Sequence, residues 1–184
     1  MSAHPGFRTT IRLRGVSKAF AAGSGSCRAG VAALGGASVE IRGGEVLLVC
    51  GPAGAGKTTL LLCAAGLLHF DTGEISGTRR GVVYRDLSHP TPALSGWPAG
   101  GAILLDSCDD VGELVRATVA RAVARALGTG SAIVVAARDP EKALALTPAA
   151  ASVSVIHLRL GQVNTERTEI GVVHRVAEGA GGGY

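Results

Sequence analysis

Val46-Leu47-Leu48-Val49-Cys50-Gly51-Pro52-Ala53-Gly54-Ala55-Gly56-Lys57-Thr58 is the stretch that decides the fold. Its first five residues form an unbroken apolar run, the pattern of a strand buried on both faces as in a parallel sheet. The next eight satisfy G-x-x-x-x-G-K-[ST] between that strand and a helix, which is the context this motif requires. Glycines there let the backbone curl so that successive N–H groups point inward at phosphate oxygens. The helix that follows adds its positive N-terminal end. In such a loop the lysine supplies charge for the β- and γ-phosphates, and the hydroxyl a ligand for Mg²⁺. Lys57 and Thr58 take those places, so the stretch predicts nucleotide binding; the alternative is a glycine-rich turn that caps a helix.

Outward from it, strand and helix patterns alternate. Upstream, Thr9 to Val16 alternates apolar and basic residues as a half-buried strand, and a loop follows from Ala21 to Gly30. Ala37 to Arg42 is a second strand, closed by the turn at Gly43-Gly44. Downstream, Thr58 to Leu68 reads as helix, Val82 to Tyr84 as a short strand, and Asp86 to Gly101 as loop, with prolines at 90, 92 and 98. Ala102 to Leu105 is a buried strand running into Asp106, and Val111 to Leu127 carries apolar residues at helical spacing. Ile133 to Ala137 is another buried strand, and Glu141 to Leu146 a short helix stopped by Pro148. Val153 to Leu160 and Gly171 to Val176 read as late strands, and Gly179 to Gly183 as tail. The expectation is an α/β fold: a mostly parallel sheet with helices on both faces, preceded by an N-terminal antiparallel β piece. It spans residues 1–178 as one domain, with a flexible tail over 179–184.

Composition narrows the classes. A chain of 184 residues suits one domain. About a quarter of the residues are Leu, Ile, Val or Phe, above the level of disordered chains, so a core of small aliphatics can form. The apolar stretch around Leu60–Leu68 is too short to cross a bilayer. The N-terminus, Met1 to Gly6, lacks the basic-then-apolar pattern of a secretory signal. The four cysteines, Cys27, Cys50, Cys63 and Cys108, have no metal-ligand spacing and read as reduced thiols in a cytoplasmic protein. The net charge of +4 comes from scattered arginines without interleaved aromatics, so no nucleic-acid partner is expected.

A phosphate loop calls for a second acidic group where a neighbouring strand ends. Ala102-Ile103-Leu104-Leu105-Asp106 offers one, an apolar strand that delivers a carboxylate to Mg²⁺. A plain helix cap after a strand has the same pattern.

Several segments, in order and spacing, resemble the ATP-binding cassette (ABC) ATPases. They are Leu13 to Phe20, Val39 to Glu45, the phosphate loop, Thr59-Leu60-Leu61, Ala65-Gly66-Leu67 and Asp71 to Ile75. The resemblance resumes at Ala102–Asp106, at Ile133–Ala145 and over Val155–Val163, and covers about two-thirds of the chain. It implies a P-loop NTPase-type fold and a Walker A loop (Gly51, Pro52, Ala53, Gly54, Ala55, Gly56, Lys57, Thr58, with Thr59) holding ATP. It also implies Mg²⁺ on Thr58 and Asp106, Phe20 stacked on adenine, and Arg138 at the family's switch position. The partners it implies are a membrane permease or another protein, and a homodimer, at the inner face of the membrane.

Four departures from the family pattern bear on mechanism. About 20 residues separate Tyr84 from Asp106, too few for the family's helical subdomain with its Leu-Ser-Gly-Gly-Gln signature; Leu94-Ser95-Gly96, followed by Trp97-Pro98, reads as loop. Arg85-Asp86 stands where the family has a glutamine. Ser107 stands where the family has its catalytic glutamate, with Asp109, Asp110 and Glu113 displaced along the chain. Arg138 replaces the switch histidine; it can hold a phosphate but cannot relay a proton at neutral pH. The expectation is ATP–Mg²⁺ binding with weak or absent hydrolysis. The alternative is a nucleotide-dependent regulatory or assembly module without turnover. A small P-loop kinase fits the length, but 50 residues precede the loop and match the cassette's β-rich start.

Overall fold

The computed structural model describes residues 9–22, 29–77, 81–88, 97–159 and 162–170. Two sheets and three helices organise them. The central strand β3 (Glu45–Cys50) is buried at every position, as its apolar run requires. It pairs in parallel with β7 (Ala132–Ala137) on one side and β8 (Ser152–Arg159) on the other. Beyond β7 lie β6 (Ala102–Asp106) and then β5 (Val82–Asp86), both parallel, and β9 (Gln162–Ile170) closes the far edge antiparallel to β8. The order is β5-β6-β7-β3-β8-β9.

Alternate residues of the same strands serve two cores. Leu47, Val49, Leu104 and Val134 face one side, where they meet α1 (Lys57–Ala65) and a second, antiparallel sheet. That sheet is ordered β2-β1-β4, from β1 (Thr9–Ala22), β2 (Ala29–Arg42) and β4 (Thr72–Gly77). Val46, Leu48, Ile103 and Val135 face the other side, against α2 (Glu113–Gly128) and α3 (Pro140–Leu144). The expected architecture is therefore present: helices on both faces of a mostly parallel sheet, with an antiparallel β piece beside it.

The differences from expectation have local causes. The N-terminal strands are longer than the alternation predicts, reaching Ala22 and starting at Ala29, because their pairing continues through register shifts between Leu13 and Ala19. Residues 23–28 of the expected loop lie outside the described residues. Helix α1 stops at Ala65 rather than Leu68, since Gly66 turns left-handed (φ 74°) and its N–H closes on the Cys63 carbonyl. A strand unforeseen in the sequence covers Gln162–Ile170, while the expected strand at Gly171–Val176 and the 179–184 tail lie outside the described residues. Strand β4 carries no apolar run at all. Both β4 and β9 are edge strands, which need no continuous apolar pattern because one side stays free of the sheet.

Candidate functional site

Three neighbouring strands end at one place. β3 leads into the loop over 51–56, β6 ends at Asp106, and β7, which lies between them, ends one residue before Arg138. The carboxyl ends of parallel strands are where α/β folds bind ligands. A cleft of about 480 Å³ opens there, with Lys57, Thr58, Asp106, Ser107 and Arg138 in its walls alongside Ser88.

The loop itself is tightly built. Ala55 is buried and its N–H closes a turn on the Pro52 carbonyl. Pro52, Ala53 and Gly54 are exposed. At Gly51 a Cβ would collide with the Leu158 carbonyl, and at Gly56 with the Ala33 carbonyl of β2. Gly56 also has φ 94°, a left-handed conformation in which it caps α1. The loop therefore follows its path only with glycine at these two positions. Lys57 Nζ donates to the carbonyls of Gly51 (2.7 Å) and Pro52 (2.8 Å), so the ammonium lies across the mouth of its own loop. Burial lowers the pKa of Lys57 most; Asp109 and Asp106 pull it back up, and Arg138 adds to the lowering. Thr58 is exposed at the first turn of α1, and Thr59 is half-buried behind it.

Asp106 is 3% exposed, and both of its oxygens are engaged. Oδ1 accepts from the Ser107 N–H at 2.8 Å, and Oδ2 from the Tyr84 hydroxyl at 3.0 Å. Burial, the Asp106 charge and this hydrogen bond all push the Tyr84 phenol well above its usual pKa, so the hydroxyl remains a donor. Ser107 has φ 57°, the sole left-handed non-glycine residue among those described. Asp109, 8% exposed, accepts from the Arg138 N–H at 2.8 and 2.9 Å and from the Asp139 N–H at 3.2 Å. Arg138 Nε also stands 3.3 Å from Asp109, and its terminal nitrogen donates to Asp110 at 2.9 Å. Two of the carboxylates displaced along the chain, Asp109 and Asp110, are thus folded back onto the end of β7.

These donors suit a nucleotide with Mg²⁺. The glycine cradle leaves backbone where side chains would stand, and Thr58 and Asp106 offer hard oxygens. Among the described residues no cluster of three His, Cys, Asp or Glu could hold a metal alone. Phe20 lies apart from the cleft, on β1 opposite Val31. Val31 is two residues along β2 from Ala33, whose carbonyl abuts Gly56, so the backbone opposite Phe20 lies about 7 Å along the strand from the loop's shoulder. Phe20 is 43% exposed, with Lys18 Nζ 5.7 Å from the ring centroid on one side. Leu94-Ser95-Gly96 lies outside the described residues. Tyr84 and the backbone clasp of Asp109 had no sequence signal of their own; the first could be found only by registering β5 against β6.

The family model described as ABC transporter matches residues 34–96. A putative ribose/galactose/methyl galactoside import ATP-binding protein of Burkholderia ambifaria is 41% identical over 71 residues, 39% of this chain and 12% of that protein. The sulfate/thiosulfate import ATP-binding protein CysA of Xylella fastidiosa is 54% identical over 43 residues, 23% of this chain and 12% of that one. The chain thus spans about an eighth of the length of these relatives. Among solved structures, a dimeric ATP-binding cassette in a post-hydrolysis state with ADP and phosphate has a TM-score of 0.60 at 14% identity, covering 84% of this chain and 97% of that one. A nucleotide-free cassette from an ABC transporter has a TM-score of 0.58 at 14% identity, covering 85% and 90%. The solved structures share the fold, and over residues 34–96, which include the loop, the sequence is similar to that of the ABC ATPases.

Proposed function

We propose that this chain binds ATP with Mg²⁺ at the cleft between the 51–58 loop and Asp106, and hydrolyses it slowly or not at all. The observation that carries the reading is the convergence of the loop, Thr58 and Asp106 on one cleft at the ends of three adjacent strands. The loop N–H groups, the α1 N-terminus and Lys57 would hold the phosphates, with Arg138 beside them. Thr58 and Asp106 would hold Mg²⁺, which when bound neutralises charge on the phosphates. Phe20 would take the adenine on the ring face away from Lys18. A bound phosphate would favour the charged Lys57 and draw its ammonium off the Gly51 and Pro52 carbonyls.

Turnover requires a group that orients and deprotonates water in line with the γ-phosphate. Ser107 is no base, Asp109 is committed to two backbone N–H groups, and Asp110 is paired with Arg138. This supports a rate lower by about 10²- to 10⁴-fold than that of a site with a positioned base. The relatives' names, import ATP-binding proteins, support a role as the ATP-binding subunit of a transporter-like complex at the inner face of a membrane, working as a dimer with a permease. Among the described residues no helix is long and apolar enough to cross a membrane. A second reading, a nucleotide-dependent assembly or regulatory module, draws on the direct pairing of β5 with β6, which leaves about 15 residues between them where the family's permease-docking subdomain stands.

Calorimetric titration with Mg-ATP tests the binding. Wild type is expected to bind and Lys57→Ala to lose binding by 100-fold or more; equal affinities would refute the site. Phosphate release by wild type is expected at or near background, and turnover at the rate of ordinary transport ATPases would refute the mechanism.

A further inference from the structure

Asp106 is held from two directions, and one of the holders comes from another strand. In the parallel register of β5 with β6, Tyr84 lies beside Leu104 and Asp86 beside Asp106. Residues two apart on a strand share a face, so the Tyr84 and Asp106 side chains are diagonal neighbours on the face that also carries α1. A tyrosine spans that diagonal with its hydroxyl, while its ring packs, half-buried, against the core around Leu104 and Leu60. The second holder is the Ser107 N–H, on a backbone turned left-handed at φ 57°. A serine adopts that conformation at a cost, and it persists where the surroundings over-determine it. Together the two donors leave the carboxylate one orientation, in the wall of the cleft that Lys57 and Thr58 share.

We propose that Tyr84 is a positioning residue for the divalent cation of this site: its hydroxyl holds Asp106 Oδ2 so that the carboxylate meets a metal already oriented. The inference rests on the Mg-ATP reading above. Tyr84 acts through Asp106 and not on the nucleotide, so its loss separates metal affinity from nucleotide affinity. Partners of a metal-binding carboxylate typically contribute about 10- to 100-fold in metal affinity.

The test uses the full chain with Mn²⁺ as the probe, free Mn²⁺ being counted by electron paramagnetic resonance in the presence of saturating ATP. Tyr84→Phe keeps the ring and removes the hydroxyl. It is expected to weaken Mn²⁺ binding about 10-fold or more, to leave ATP affinity in EDTA within about twofold, and to add nothing when Asp106→Asn is already present. Three results would overturn the proposal: an Mn²⁺ affinity equal to wild type, a parallel loss of metal-free ATP affinity, or an undiminished effect in the Asp106→Asn background. The second of these would assign Tyr84 to the fold. A wild-type chain that binds neither ATP nor Mn²⁺–ATP would overturn the underlying reading as well, and so is distinguishable from failure of Tyr84 alone.

Discussion

Gly54 and Gly56 are both left-handed, yet they should answer differently to the same substitution. At Gly54 (φ 76°) nothing lies within 4 Å of an added Cβ, so Gly54→Ala carries only the conformational cost, about 1–2 kcal/mol. At Gly56 (φ 94°) the Cβ meets the Ala33 carbonyl, a backbone atom that cannot swing aside. Gly56→Ala is expected to lose more than Gly54→Ala, with about 1–3 kcal/mol from strain before the collision is counted. Urea unfolding checks this: the midpoint of Gly56→Ala should fall further at unchanged slope, and equal midpoints would contradict the close approach. Lys57 and Thr58 were legible as a pair because the motif fixes them by spacing alone. The engagement of Asp109 with Arg138 was not, because it joins residues 29 apart whose meeting depends on where β6 and β7 end. Sequence left Asp109 and Asp110 as carboxylates displaced along the chain from the glutamate's place; their hydrogen bonds commit them to the end of β7 and to Arg138.

Among elements, β3 and α2 mark the two limits of what periodicity can tell. The apolar run of β3 reads as doubly buried, and Leu48 is 0% exposed at the centre of the sheet. Leu48→Ala is expected to destabilise by about 2–5 kcal/mol, read as a shift in chemical unfolding. Helix α2 shows a stripe that includes Leu114 and Val115, but the buried residues are Val119, Ala122, Val123 and Ala126. Leu114, in the first turn of α2, is 83% exposed. Leu114→Ala should therefore stay within about 0.5 kcal/mol of wild type, and a large loss would place the start of α2 against a core. Strands β4 and β9 lay beyond such reading. Each is hydrogen-bonded to a neighbour on one side and packs single apolar residues such as Ile75 and Val163 against the core, which leaves no apolar run in its own sequence.

At the scale of the molecule, two cores lie back to back on one sheet, and the cysteines report on both. Cys63 sits in the core under the antiparallel sheet, and Cys50 and Cys108 in the core under α2 and α3. Burial raises all three thiols, Cys50 from the usual 9.0 to about 11. At pH 8 these thiols are neutral and enclosed, so a thiol reagent should label them only when the protein is unfolded; rapid labelling under native conditions would mean that a core opens locally. The sign of the linkage follows. A thiol whose folded pKa is raised contributes fully below pH 9 and loses that contribution as pH rises from 9 towards 11, so stability should fall across that window. The sequence by itself determined the phosphate loop, the buried strands on either side of it and the family they resemble, because each is encoded by residues adjacent in the chain. The tertiary structure alone decided which strands stand side by side. It thereby brought Tyr84 to Asp106, folded Asp109 onto Arg138 and set the β2 carbonyl of Ala33 against Gly56. Each of these contacts joins residues more than 20 apart, and only the order and register of the sheets bring them within hydrogen-bond or van der Waals reach.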